Sequence, residues 1–248
     1  MNLLLVEASE VDEHGTVTIR DGRARHLLDV LKVAPGQGVR VGLVDGGIGS
    51  GRVVSAAPGA VTLSCAFDAA PERPRVDLLL ALPRPKVLRR LWAQFAALGV
   101  GRIILTNAYR VERDYFDTHL LEPAVYRPLL LEGLQQARDT LLPEVSVHRR
   151  FRVLVEDELP GLSGHTQRLV ADPASEGTLR DAVAVAATTR VLLAVGPEGG
   201  WNPFELELLR SHGFRSVGLG SRTLRSDTAV IALLALAHDA LRTSNPKQ

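Results

Sequence analysis

Residues 191–231 read VLLAVGPEGGWNPFELELLRSHGFRSVGLGSRTLRSDTAVI, and the order of apolar runs, glycines and caps in this stretch decides the fold class. Val191–Val195 is an unbroken apolar run closed by Gly196-Pro197, the pattern of a strand buried on both faces. Asn202, Pro203 and Glu205 stand where an N-cap, a first helical residue and a capping-box partner belong, and Gly213 suits a left-handed helix end. Val217–Leu219 predicts a second strand, residues 220–228 a polar loop, and Ala229–Leu241 a long apolar helix. Two glycine-bearing loops thus leave the ends of neighbouring buried strands. In open α/β sheets that edge binds ligands.

Working outward, Val76–Leu82, Ile103–Leu105, Val145–His148 and Leu169–Ala171 add four strands that alternate with helical stretches. The rhythm implies an α/β domain with a mostly parallel sheet of about six strands. Val87–Leu98 places Leu88, Leu91, Trp92, Phe95 and Leu98 on one helical face, with Gly99 as its stop. A further helical stretch runs to about Arg138 and is expected to be interrupted at Pro123 and Pro128. Residues 1–70 differ. Leu3–Val6, Thr16–Ile19, Gly38–Val44, Arg52–Val54 and Val61–Ala66 are short β-like runs between turn signals, which predicts a small antiparallel barrel interrupted by an amphipathic segment, Arg23–Leu31. Residues 46–51 (GGIGSG) have the glycines of a dinucleotide fingerprint but no helix after them, so a flexible hairpin is expected. The AAPERP linker at 69–74 divides a domain of residues 1–72 from one of 73–248.

The 248 residues are 46% hydrophobic and 23% charged, ordinary for a soluble globular chain. The N-terminus lacks the basic flank of a signal peptide, and the longest apolar run, Ala229–Ala237, is too short to span a bilayer. The lone Cys65 fits a reducing cytoplasm, and seven scattered histidines suggest no metal. A net charge of +1 gives no global nucleic-acid signature, but the basic residues are nearly all arginines and they cluster: Arg73, Arg75, Arg84, Lys86, Arg89 and Arg90, then Arg149, Arg150 and Arg152. Arginine suits bidentate phosphate contact and base stacking. A solvated surface accounts for any single cluster equally well.

GPEGG at 196–200 is neither a Walker loop nor GxGxxG, and Pro197 removes an amide that a phosphate would use. A tight turn needing positive φ at Gly199 or Gly200 accounts for the glycines. It does not account for Glu198 and Trp201, or for the companion loop with its exposed amides, two arginines and Asp227. Such a backbone-lined pocket suits a neutral nucleoside better than a triphosphate.

VGPEGGWNPFEL followed by LGSRTLRSDTAV resembles the paired signature of the knotted SPOUT-class RNA methyltransferases, and more narrowly the bacterial small-subunit ribosomal RNA (uracil-N(3))-methyltransferases. The likeness extends to His26-Leu27-Leu28, Val30-Leu31-Lys32 and Pro35-Gly36, to Leu98-Gly99-Val100, Ile103-Ile104 and Arg110, and to Glu132, Gln136 and Pro143. It implies a PUA-like RNA-binding barrel followed by a domain with a C-terminal trefoil knot that holds S-adenosylmethionine, in a homodimer. Cofactor contacts would come from Ala171, from Gly196, Pro197, Gly199 and Gly200, and from Leu219, Gly220, Ser221, Leu224 and Thr228. Ribosomal RNA or the small ribosomal subunit would be the partner, met by His26, Lys32, Lys86, Arg89, Arg110 and Arg138. The chain departs from the family pattern at Leu3, Lys32, Ala97, Asp139 and Asp227.

The implied reaction, methylation of a uridine in 16S ribosomal RNA, constrains the roles. Ring nitrogen 3 of uracil must lose its proton to attack a sulfonium methyl, so the site needs alignment, a cation for the developing anion and a proton acceptor. Arg225 is the candidate cation, and Glu198 and Asp227 compete as acceptor or as braces of their loops. The rival readings are an RNA-binding assembly factor that keeps the fold without turnover, and a conventional nucleotide-binding α/β enzyme.

Overall fold

The computed structural model describes residues 2–162, 164, 166–183, 186 and 188–242. They form two compact units. One is Met1–Arg73 with Leu130–Leu142, and the other Pro74–Leu129 with Pro143–Gln248.

The first unit is built on β1 (Leu4–Val6), β2 (Thr16–Ile19), β3 (Gly38–Leu43), β4 (Ile48–Ala57) and β5 (Ala60–Phe67), in the sheet order β1-β3-β4-β5-β2. Alternation puts Val17, Ile19, Val41, Val53, Val61 and Leu63 into one buried cluster with Leu4, Val6 and Leu27. The sheet is mixed rather than antiparallel throughout, because β1 pairs with β3 in parallel. Parallel neighbours need a long crossover, and residues 7–37 supply one through β2 and the helix α1 (Gly22–Arg25), which runs into a π-helical turn, His26–Val30. The glycines at 46–51 do form a hairpin, but space rather than flexibility selects them. A β-carbon at Gly47 would lie 1.7 Å from Asp68 O, and one at Gly49 1.9 Å from Ala66 O.

Residues 130–142 complete this unit. The Thr140 hydroxyl, fully buried, donates to Gly46 O at 2.6 Å, and Asp45 N donates to Thr140 O at 2.8 Å. Leu142 N donates to the Asp45 carboxylate at 3.0 Å. A fragment of residues 74–248 would keep this segment and lose its partners. Asp139, where the resembling family has arginine, accepts from Thr140 N and Leu141 N, so an acid serves the turn directly.

The second unit contains β6 (Val76–Ala81), α2 (Pro85–Ala97), β7 (Val100–Thr106), α3 (Pro123–Ala137, whose later half counts with the first unit), β8 (Glu144–His148), α4 (Phe151–Val153), β9 (Gln167–Ala171), α5 (Leu179–Ala182), β10 (Val191–Val195), α6 (Pro203–Ser211), β11 (Phe214–Val217) and α7 (Ser226–Arg242). Six strands pair in parallel in the order β11-β9-β10-β6-β7-β8. Leu88, Leu91, Trp92 and Phe95 of α2 are buried as its apolar face predicts, and Gly99 ends the helix at φ +72°. The expected interruptions of the next helix do not occur. Pro123 opens α3, and Pro128 lies on its exposed face with Ala124, the residue whose carbonyl it deprives of a donor, exposed as well. β11 begins three residues and ends two residues earlier than Val217–Leu219, because Gly213 turns at φ +84° and Phe214 and Val217 are the side chains the core takes. α7 begins at Ser226 instead of Ala229, with Asp227 favourably placed in its first turn.

The core strand β6 also carries Asp77, fully buried, 3.5 Å from Arg190 Nη2. Gly101 leaves it room, since a β-carbon there would stand 2.7 Å from Asp77 Oδ1.

Thr140→Val preserves shape and removes the hydroxyl from Gly46 O, so it should cost about 1–3 kcal/mol of the first unit's stability. Denaturant unfolding of the full chain checks this, and an unchanged midpoint would show that the segment does not hold the unit together.

Candidate functional site

Because β11, β9 and β10 are neighbours, the three chain segments that leave their C-terminal ends converge. They line a cavity of about 220 Å³. Ala171, Gly196, Pro197, Glu198, Gly199, Gly200, Leu219, Gly220 and Leu224 lie on its wall, as do Asp172, Val195, Val217, Gly218 and Ala229. Ser221 and Thr228 do not. Ser221 is exposed in the loop, and Thr228 belongs to the first turn of α7, its N–H donating to Asp227 Oδ1 at 3.0 Å.

The glycine loop is a tight turn, with Gly200 N donating to Pro197 O at 2.8 Å and Gly200 at φ +73°. Gly199 is there for space, because a β-carbon would meet Arg110 Cδ at 2.7 Å. Arg110 donates from Nη1 to Gly199 O. Past the turn, the Asn202 side chain accepts from Glu205 N at 2.8 Å and the Glu205 carboxylate accepts from Asn202 N at 2.8 Å, the predicted capping box. The other Glu205 oxygen accepts from Tyr109 N at 2.6 Å, in the segment after β7. Trp201 is buried against Phe151, ring centres 5.2 Å apart.

Residues 220–225 are exposed, and Gly220 at φ +88° has open space where a β-carbon would sit. Gly218 is the opposite case: a β-carbon would stand 2.2 Å from Ser175 O, and its N–H donates to Gly177 O at 2.8 Å. The floor holds one buried acid. Asp172 Oδ2 accepts from Arg210 Nη2 at 2.8 Å and Oδ1 accepts from Ala174 N at 3.0 Å. Asp172, Arg210 and Gly218 escape a reading of the sequence because their partners are distant in the chain; the one local signal is the place of Asp172 directly after a strand end.

Of the candidate catalytic residues, Glu198 accepts from Arg84 N, the N-cap of α2, at 3.3 Å. Nearby Tyr115 donates to Glu112 Oε1 at 3.4 Å, and its phenol is pushed above the ordinary value by burial first and then by the charge of Glu112. Asp227 Oδ2 accepts from Arg90 Nη2 at 3.0 Å, and Arg225 Nε lies 3.6 Å from Asp227 Oδ1. Arg225 itself is 77% exposed. Arg90 was legible only as a member of a basic cluster.

The residues expected to meet RNA fall in both units. Lys86 and Arg89 are exposed on α2. Lys32 and Arg138 are exposed, with left-handed backbones at φ +50° and +62°, each just past a helical end. His26 differs from expectation: its Nε2 is buried without a hydrogen-bond partner among the described residues, so that nitrogen is turned from solvent. Leu3, at a position where basic residues are usual in the resembling family, is buried. Among the described residues no group of three or more His, Cys, Asp or Glu is placed to hold a metal, and no helix is long and apolar enough to cross a membrane.

A parallel sheet whose adjacent strand ends carry a backbone-lined cavity is a small-molecule-binding α/β domain. The RNA methyltransferase domain family matches residues 71–238, and the chain belongs to that family. The ribosomal RNA small subunit methyltransferase E of Treponema pallidum is 34% identical over 95% of this chain and 90% of its own. The protein called ribosomal RNA small subunit methyltransferase E 1 in Borreliella burgdorferi is 22% identical over 94% and 95%. The crystal structure of a ribosomal RNA small subunit methyltransferase E from Neisseria gonorrhoeae, bound to S-adenosyl methionine, shares the fold with a TM-score of 0.75 at 21% identity, covering 96% of this chain and 98% of that one.

Two glycine substitutions separate packing from ligand space. Gly218→Ala forces backbone apart and should cost about 2–3 kcal/mol. Gly220→Ala meets no atom and should cost about 1 kcal/mol for its left-handed backbone. Thermal unfolding of both variants checks the ranking, and equal losses would contradict the packing at Gly218.

Proposed function

We propose that this protein is an S-adenosylmethionine-dependent methyltransferase acting on ring nitrogen 3 of a uridine in the 16S RNA of the small ribosomal subunit. The observation that carries the reading is the cavity at the ends of β9, β10 and β11. Its wall is apolar at Val195, Val217, Leu219, Leu224 and Ala229, and its rim is the exposed loop of residues 220–224. Such a wall fits a neutral adenosine, and the open space at Gly220 is one that a side chain would fill. Ala171, Gly196, Leu219, Gly220 and Leu224 would hold the cofactor, which when bound supplies an electrophilic methyl group. The names of the relatives support the RNA and the subunit.

In this reading the domain is trefoil-knotted and the protein a homodimer. The tight approach of Gly218 to Ser175 and Gly177 supports a chain threaded beside the loop after β9. Leu236, an apolar side chain 45% exposed on α7, supports a partner subunit there. The first unit would be a PUA-like barrel that holds RNA.

The residues divide the chemistry as follows. Arg225 presents a cation beside the cavity and stabilises negative charge on the uracil as its nitrogen is deprotonated. Asp227, gripped by Arg90, orients Arg225 and does not take the proton. Glu198 braces the glycine loop against the start of α2 through Arg84 N. The proton then leaves to water at the exposed loop.

Arg225→Ala should keep near-normal cofactor affinity and lose roughly 100-fold in single-turnover methyl transfer. A parental rate removes Arg225 from the mechanism. Glu198→Gln should show a rate defect independent of pH and a weaker affinity for S-adenosylmethionine. A defect that shrinks as pH rises would make Glu198 the proton acceptor after all. Incubation of small subunits with labelled cofactor, followed by mapping of the labelled nucleotide, tests the reaction itself.

A further inference from the structure

Tyr109 is 81% exposed, more than any other large hydrophobic side chain among the described residues. An aromatic ring in water is ordinary on a mobile loop, but this one has a rigid mount. Its own N–H is held at 2.6 Å by Glu205, a carboxylate only 4% exposed whose other oxygen closes the capping box of α6. The next residue, Arg110, is fixed to Gly199 O on the glycine loop of the cavity. The ring therefore projects from a backbone locked on both sides to the elements that shape the site. Phe204, 59% exposed, precedes Glu205 in the chain, so a second exposed aromatic stems from the segment that this carboxylate joins to Tyr109. Cations stand in the same region beside the exposed acids Glu112 and Glu198: Arg110 lies against the loop, and Arg84 and Lys86 are at the start of α2, where Arg84 N binds Glu198 of that loop.

Exposed aromatic faces set among arginines are the means by which proteins hold unpaired bases, because every base offers a π-face and the cations track the backbone. A ring carried on a pre-fixed backbone has only its own two side-chain torsions to lose on binding. We propose that Tyr109 is a positioning residue, the platform on which a base of single-stranded substrate RNA stacks beside the cofactor cavity. This deepens the methyltransferase reading and rests on it for the identity of the substrate.

The test uses the full chain and a single-stranded oligouridine as probe, with Tyr109→Ala, Tyr109→Phe and Lys86→Gln compared to the parent. Loss of one stacked base should weaken probe binding about tenfold in Tyr109→Ala. Tyr109→Phe should bind like the parent, since the ring and not the hydroxyl does the work. The slope of log affinity against log salt should stay at the parental value in Tyr109→Ala and flatten in Lys86→Gln, because only the second removes a phosphate contact. S-adenosylmethionine affinity by calorimetry should be unchanged by either tyrosine substitution, and the KM for small subunits should rise in Tyr109→Ala. Parental oligouridine affinity in Tyr109→Ala, or a loss in Tyr109→Phe as large as in Tyr109→Ala, overturns the stacking role. So does a change of sedimentation coefficient in Tyr109→Ala, which would assign the ring to a subunit interface. A parent that binds oligouridine through Tyr109 but transfers no methyl group to small subunits leaves stacking in place and defeats the proposed reaction instead.

Discussion

One buried carboxylate holds the site in register. Glu205 accepts from Asn202 N and from Tyr109 N, so it joins the exit of the glycine loop to the segment after β7. At 4% exposure an unsatisfied carboxylate would be costly, and these two backbone donors are what make its burial tolerable. The same residue sits in the first turn of α6, which carries the chain from the end of β10 to β11 and so sets where the second loop begins. Arg110, one residue past Tyr109, then closes the turn from the other side by its bond to Gly199 O. Loop shape at the cavity is thus fixed by a buried carboxylate that neutral backbone donors hold and by a guanidinium on the turn's own carbonyl.

Local signals in the sequence led a long way. Asn202, Pro203, Glu205 and Gly213 each act within four residues, and each has the geometry its type predicts. The runs at 76–81, apolar but for Asp77, and at 191–195, apolar throughout, are strands with every residue buried. What escaped was set by residues far apart in sequence. Nothing near Leu4 says that it pairs in parallel with Val41, or near Thr140 that its hydroxyl meets Gly46. Pro128 misled for a related reason: its cost depends on whether water can reach one carbonyl, and that is decided by the exposed face of α3. At the site, glycine spacing identified the two loops but gave Ser221 and Thr228 no different standing from Leu219 and Leu224. The start of α7 at Ser226 takes Thr228 out of the loop, while Ser221 stays in it, exposed and off the cavity wall.

The arginines show why composition alone is a poor guide to partners. Arg90, Arg110 and Arg210 are each engaged with protein groups at the cavity: Asp227, Gly199 O and Asp172. They shape loops, and guanidinium suits that task because its fork can meet acid and backbone oxygen in fixed directions. Arg23 does the same in the first unit, held between Glu10 and Asp21. A basic cluster in the sequence therefore mixes residues that build the site with residues that face a polyanion.

Arg90 and Lys86 make the distinction concrete, one turn apart on α2. A lysine at 90 would keep the charge but lose the planar fork that meets Asp227, whereas an arginine at 86 would serve a phosphate as well as the lysine does. The ion pair at 90 is itself half in solvent, with Arg90 61% and Asp227 20% exposed, so its contribution to stability is small. Its consequence is directional. Asp227 sits in the first turn of α7, where the helix dipole already favours an anion, and Arg90 fixes which way that anion points. Arg225, on the other oxygen, inherits the direction. A weak surface bridge thereby sets the position of Arg225, an exposed cation beside the cavity of the kind the proposed chemistry requires.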